Sequence, residues 1–156
     1  MEPFYVAMLG EAAGRAGHVD EGLAFVNEAQ TLADSTGERW YEAELHRLRG
    51  ELLRQQAVPD ERGAEAAFRR ALHVARRQGA RALALRAAMS LARLLHKRGG
   101  QDAARRLLIA THGSFSEGFD VPDLREARRW LDRLCPPDAI LNRGGGRALI
   151  GGRGSP

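Results

Sequence analysis

The residues predict an all-α fold of stacked antiparallel helix pairs, a helical-repeat solenoid, on three observations. Ala and Leu are abundant, β-branched residues are scarce, and no stretch alternates with period two. Small residues recur at a fixed interval: Gly10, Gly50 and Ala92 stand 40 and 42 apart, and Gly22, Ala64 and Ala104 stand 42 and 40 apart. Large apolar residues follow the second series four positions later at Val26, Phe68 and Leu108, then small or short ones at Ala29, Ala71 and Thr111. A small residue with a bulky one a turn later marks close helix–helix contact. Repetition with a period of roughly 20–50 residues marks an array.

The spacing predicts helices over 3–16, 20–35, 39–56, 62–78, 80–98, 101–112 and 122–134. Gly17 ends the first, and Asp20 is placed to cap the second. Gly37 ends the second. Val58-Pro59-Asp60 stops the third, because the residue before proline leaves the helical region. Ala64, Ala67, Phe68, Ala71, Leu72 and Ala75 make one apolar stripe on the fourth, with Arg69, Arg70, Arg76 and Arg77 off it. Gly79 and the Gly99-Gly100 pair close the fourth and fifth. The fifth carries apolar residues on two sides, from Leu83 to Leu95, as an inner helix would. Asp120 to Asp123, with Pro122 in the first turn, signals the start of the last helix. That helix exposes Arg125, Arg128, Arg129, Asp132 and Arg133, a polar outer face fit for a capping element. Residues 1–134 thus read as one repeat domain, with pairs at about 3–36, 39–79 and 80–112 and a cap at 122–134. Residues 135–156, rich in Gly and Arg, read as a disordered tail.

At 156 residues, with 44% hydrophobic and 28% charged residues, the chain has the proportions of a single soluble domain. No apolar run reaches the ~18–20 residues that span a bilayer. Met1 to Gly17 lacks the basic start of a signal peptide, and the lone Cys135 excludes an internal disulfide, so the expected location is cytoplasmic. Charge is segregated: residues 1–66 hold 6 Arg and 13 Asp/Glu, whereas residues 67–156 hold 18 Lys/Arg and 7 Asp/Glu. Net charges of −7 and +11 favour head-to-tail contact or an acidic partner for the basic half.

The pattern resembles the tetratricopeptide repeat. Gly10, Gly17, Gly22, Val26 and Ala29 match its small and large positions, as do Gly50, Ala64, Phe68 and Ala71, and Ala92, Gly99, Ala104 and Leu108. Arg49 and Thr111 depart from it, and the period is longer than the family's. A narrower resemblance is carried by GERWYEAELHRLRGELL (Gly37 to Leu53), AEAAFRRALHVARRQGA (Ala64 to Ala80), LRAAMSLARLL (Leu85 to Leu95) and EGFDVPDLREARRWLDRL (Glu117 to Leu134). These look like the C-terminal repeat region of large bacterial signalling proteins, which carry signal-transduction ATPase, nucleotide cyclase or DNA-binding regulator domains. The resemblance implies a right-handed solenoid and a sensing or scaffolding role through protein–protein interaction. It carries over neither ATPase nor cyclase activity.

The residues offer no catalytic, cofactor or metal constellation. Gly144-Gly145-Gly146 lacks the Gly-Lys-Ser/Thr ending of a phosphate loop, and Gly113 to Gly118 fails the spacing of a nucleophile elbow. The five histidines are dispersed, with no i, i+3 or i, i+4 pair. Glu42, Glu44 and Glu51, among Arg47, Arg49 and Arg54, read as solvated ion pairs. Trp40, Tyr41 and Trp130 read as packing anchors between repeats. Arginines from Arg69 to Arg106 allow a second reading, a nucleic-acid-binding repeat, but no aromatics are interleaved with them.

Placing the resembled family's concave positions on this chain yields a candidate groove: Glu11 and Arg15, then Arg47, Glu51 and Arg54, then Arg86, Arg93 and Lys97. Their sum is basic, so the expected partner is an acidic protein or peptide segment. At the other extreme of the charge pattern, Phe4, Tyr5, Met8 and Leu9 crowd one helix without a polar cap ahead of them. The array reads as begun in its middle, and these four residues are the expected self-association surface.

Overall fold

The computed structural model describes residues 2–116 and 121–135, and within them the chain is all-α. Seven helices follow one another: α1 (Pro3–Arg15), α2 (Val19–Thr36), α3 (Glu42–Gln55), α4 (Glu61–Arg77), α5 (Arg81–Lys97), α6 (Gln101–His112) and α7 (Pro122–Leu134). The last two match the sequence reading residue for residue, and most other boundaries move by one. The expected disorder of the tail lies outside the described residues beyond Cys135, as does Asp120.

Three turns share one construction. Gly17, Gly79 and Gly99 have φ of 85°, 66° and 82°, a region that side chains with a Cβ rarely adopt. In each, the N–H after the glycine donates to the carbonyl five residues back: His18 to Ala13 at 2.9 Å, Ala80 to Ala75 at 2.9 Å and Gly100 to Leu95 at 2.8 Å. This closes orphan carbonyls at the helix end and reverses the chain sharply.

Two start signals differ from expectation. His18 rather than Asp20 takes the cap position of α2, and Asp20 falls in the first turn, where its charge meets the positive end of the helix dipole instead. At α4, Asp60 is the cap: its Oδ1 accepts from the Gly63 N–H at 2.8 Å. The third helix begins at Glu42 rather than at 39, because Trp40 and Tyr41 form a turn.

Consecutive helices pack as neighbours, and each odd-numbered helix also touches the next odd one: α1 with α3, α3 with α5, α5 with α7. No even-numbered pair packs together among the described residues. All twelve positions of the four repeating series are buried. Their role is close approach. A Cβ on Gly22 would lie 3.0 Å from the Gly10 carbonyl oxygen, so α1 and α2 meet backbone to backbone. A Cβ on Gly50 would lie 2.5 Å from the Phe68 ring. The core is divided accordingly. Val6, Val26, Leu45, Leu48 and Leu52 cluster between α1, α2 and α3. Phe68 with Ala64, Leu91 and Leu94 bridges α4 to α5. Leu85, Ala88, Leu108, Leu124 and Leu134 anchor the C-terminal helices.

An ionic clamp joins the start of α4 to the end of α5. Glu61 meets Lys97 at 3.0 Å and Arg98 at 3.1 Å, and Glu65 meets Arg98 at 2.5 Å and Arg69 at 2.8 Å. Hydrogen bonds from Lys97 and Arg98 hold the Glu61 carboxyl below the usual Glu value of 4.5. A hydrogen bond from Arg69, with Arg98 adding to it, does the same for Glu65. Both pKa values are lower folded than unfolded, so this stabilisation is present above pH 4.5 and is lost as pH falls through the folded values. Urea midpoints measured against pH are expected to fall below pH 4.5, and Glu61→Gln with Glu65→Gln should flatten that decline.

Candidate functional site

The odd-numbered helices present a charged face, and one cavity of about 230 Å³ opens on it. Glu11 and Arg15 of α1, Arg47, Glu51 and Gln55 of α3, and Arg93 of α5 line it, with Gly14, Leu48 and Leu52. Five of the eight sequence-predicted groove residues therefore come together: Glu11, Arg15, Arg47, Glu51 and Arg93. Gly14 and Gly22 permit this geometry, since a Cβ on either would strike Leu52 Cδ2, at 2.6 and 2.9 Å.

The other three are engaged elsewhere. Arg54 bonds Glu51 at 3.4 Å beside the cavity. Arg86 turns to Glu44 at 2.9 Å. Lys97 lies in the Glu61 clamp. The basic side chains assigned to the groove are thus paired with carboxylates of the chain itself. Arg15 is bonded to Glu11 at 2.7 Å, and Arg93 to Glu126 of α7.

Beneath the face is a network that charge spacing alone did not reveal. Glu44, read from sequence as a solvated ion pair, is 1% exposed. Its Oε1 accepts from Arg47 Nη2 at 2.6 Å and its Oε2 from Arg47 Nε at 3.0 Å, a bidentate fork. Arg86 reaches the same carboxylate from α5. Glu51 continues the chain, lying 3.6 Å from Arg47 and accepting from the Ser90 hydroxyl at 2.6 Å. Burial opposes the Arg47 charge, but its hydrogen bonds to Glu44 and the nearby Glu44, Glu51 and Glu11 carboxylates outweigh it, so its pKa rises. Tyr41 feels the same group: burial and then the Glu44 charge push its hydroxyl up, against Arg86. Glu42 is also buried, 3.7 Å from His46 and from Arg39.

The aromatic residues divide. Trp130 is half-buried, edge-on to His96 and beneath Arg93 and Arg133 at 5.9 and 5.6 Å from its ring centroid. Trp40 is not a buried anchor: it is 60% exposed. Phe4 sits 5.6 Å from Trp40, 5.0 Å from Tyr41 and 5.5 Å from Tyr5, forming an aromatic cluster at the outer edge of α1. Of the four expected self-association residues, Tyr5, Met8 and Leu9 are exposed, whereas Phe4 is half-buried in this cluster.

Among the described residues, no helix is long and apolar enough to cross a membrane. No family model matches the chain. Over 92 residues it is 37% identical to an uncharacterized protein of Rhizobium meliloti (strain 1021), a match that covers 59% of this chain and 9% of that protein. The chain thus corresponds to a small fraction of that relative's length.

Proposed function

We propose that this chain is a tetratricopeptide-like solenoid that binds a protein segment on the face of α1, α3 and α5, as an interaction module of a bacterial signalling or regulatory protein. The observation that carries the reading is the cavity to which three successive odd-numbered helices each contribute charged side chains. The two-layer contact pattern and the burial of every repeating position support the solenoid. A match to a small part of a much longer protein fits a module carried in larger chains.

The chemistry of pairing indicates which cations meet a ligand. An ion pair open to solvent is worth only about 0–1 kcal/mol, so the exposed Arg15 can exchange Glu11 for a ligand carboxylate, while Arg54 and Arg93, part-buried, exchange Glu51 and Glu126 at greater cost. Arg47, forked to a buried Glu44, serves as the fixed floor. Acidic peptides are therefore expected to bind more tightly than basic ones, and Arg15→Glu should erase most of the difference. Calorimetric titration of acidic and basic peptide libraries checks this. Equal weak binding to both would remove the reading.

Self-association is the second expectation, favoured by Tyr5, Met8, Leu9 and Trp40 standing exposed on one edge. The opposite net charges of the two halves favour a head-to-tail arrangement of copies. Sedimentation should show concentration-dependent mass, reduced by Tyr5→Glu with Leu9→Glu; a clean monomer at high concentration would count against it. Phe4 is the poorer target, because its ring packs on Tyr41 and a change there perturbs the fold as well.

A further inference from the structure

Among the described residues the even-numbered helices do not touch one another, and the gap between α4 and α6 is a cleft of about 420 Å³. Its floor is aliphatic: Leu91 and Leu95 of α5, one turn apart, with Leu72 and Leu107 on the walls. Leu95 and Leu107 retain exposed surface. Its rim is basic: Arg69 and Arg76 from α4 and Arg106 from α6. Arg69 is held by Glu65, but Arg76 and Arg106 are exposed and have no carboxylate within 4.0 Å among the described residues.

We propose that this cleft is a second docking surface, separate from the α1–α3–α5 face, and that its occupant is an amphipathic helix with apolar residues on one stripe and Asp or Glu flanking it. Charge complementarity selects the acidic flanks, since the two unpaired guanidiniums stand on opposite walls above an apolar floor. Spacing selects a helix. Arg69, Leu72, His73 and Arg76 lie at i, i+3, i+4 and i+7, about two turns of α4. A helix laid alongside would put apolar residues onto Leu95 and Leu107, which keep exposed surface, and carboxylates on both sides of them toward Arg76 and Arg106. The lining holds no ring from Phe, Tyr or Trp, the usual stacking platforms for single-stranded nucleic acid, and its one ring is His73.

The test uses the full chain and a fluorescent, helix-stabilised 16-residue probe with a leucine stripe and flanking Glu, beside a version with Gln for Glu. Fluorescence anisotropy is expected to show saturable binding of the Glu probe, weaker by about tenfold for the Gln probe and weakened further by salt. Arg76→Glu with Arg106→Glu should lower affinity for the Glu probe at least tenfold. Both residues are exposed, so the helical circular dichroism should be unchanged. Arg15→Glu separates this proposal from the previous one, since it lies on the other face. If Arg15→Glu weakens probe binding and the double reversal does not, the probe occupies the α1–α3–α5 face and the cleft proposal falls. No binding, or equal binding of both probes, overturns it. So does tighter binding of a random single-stranded oligonucleotide that the double reversal abolishes. If the double reversal instead abolishes self-association of the chain, the occupant is a second copy and the acidic-helix assignment is wrong.

Discussion

Phe68→Ala is expected to destabilise the chain by about 3–5 kcal/mol, the range for emptying a fully buried aromatic site. Phe68 is 0% exposed and touches three helices: Gly50 on α3, its own α4, and Leu91 and Leu94 on α5. Gly50 has no side chain because the Phe68 ring fills that space, so neither partner can move in to close the void. The loss should spread, since Phe68 links α3, α4 and α5 at the middle of the array. A fall in melting temperature of about 10 °C or more is expected. A shift of a degree or two would mean that the site collapses freely. The contact is also testable from the other side. Gly50→Ala should destabilise the wild-type chain, and the cost should shrink when Phe68→Leu makes room. A double-mutant cycle should give a coupling of about 1–3 kcal/mol, and zero coupling would refute the contact.

Glu44→Ala is expected to cost about 3 kcal/mol, toward the lower end for removing one member of a buried ion pair. The cost arises from what stays behind. Arg47, with an 11% exposed side chain, loses both hydrogen bonds of its fork and keeps its charge. Glu51, at 3.6 Å, replaces only part of the interaction. Arg86 is 32% exposed, so water screens its share, which is why the lower end applies. Glu44→Leu combined with Arg47→Met should recover much of the loss, because an apolar pair of similar volume carries no desolvation cost. Chemical denaturation of the two single variants and the pair measures this. If Glu44→Ala leaves the midpoint unchanged, the network contributes nothing to stability. The same experiment bears on function. The fork holds Arg47 as part of the cavity wall, so peptide binding should weaken in Glu44→Ala even at temperatures where the chain stays folded.

Placement of the candidate groove was half legible in the residues. Glu11, Arg15, Arg47, Glu51 and Arg93 were found by mapping equivalent positions of a repeat, and they do line one cavity. Lys97 was assigned to the same face by the same counting but faces Glu61 on α4. It occupies the last residue of α5, where α4 offers a carboxylate and the cavity is out of reach. Asp60 as a cap had a signal that was available, an Asp three residues ahead of Gly63 at a helix start. Trp40 was misread because a large aromatic is usually buried. Here it precedes α3 in a turn, against Phe4, with most of its surface open.

The residues alone determined the elements and their contact points, and for one reason. Helix length, glycine turns and the small-then-large series depend on interactions within a few residues, and each recurs at a fixed interval that can be read along the chain. Gly50 and Phe68 are far apart in sequence, yet both are visible as members of their series. The tertiary structure decided the state of the charges. Glu44, Glu51 and Glu42 lie on one short stretch and look alike in sequence. Glu44 is buried because α5 brings Arg86 over it, and Glu51 is bonded because α5 brings Ser90 to it, each contact spanning about forty residues. Whether a carboxylate is solvated, buried or available to a ligand depends on which helix lies across it. That crossing is set by the packing of small residues elsewhere, so no local pattern of charges encodes it.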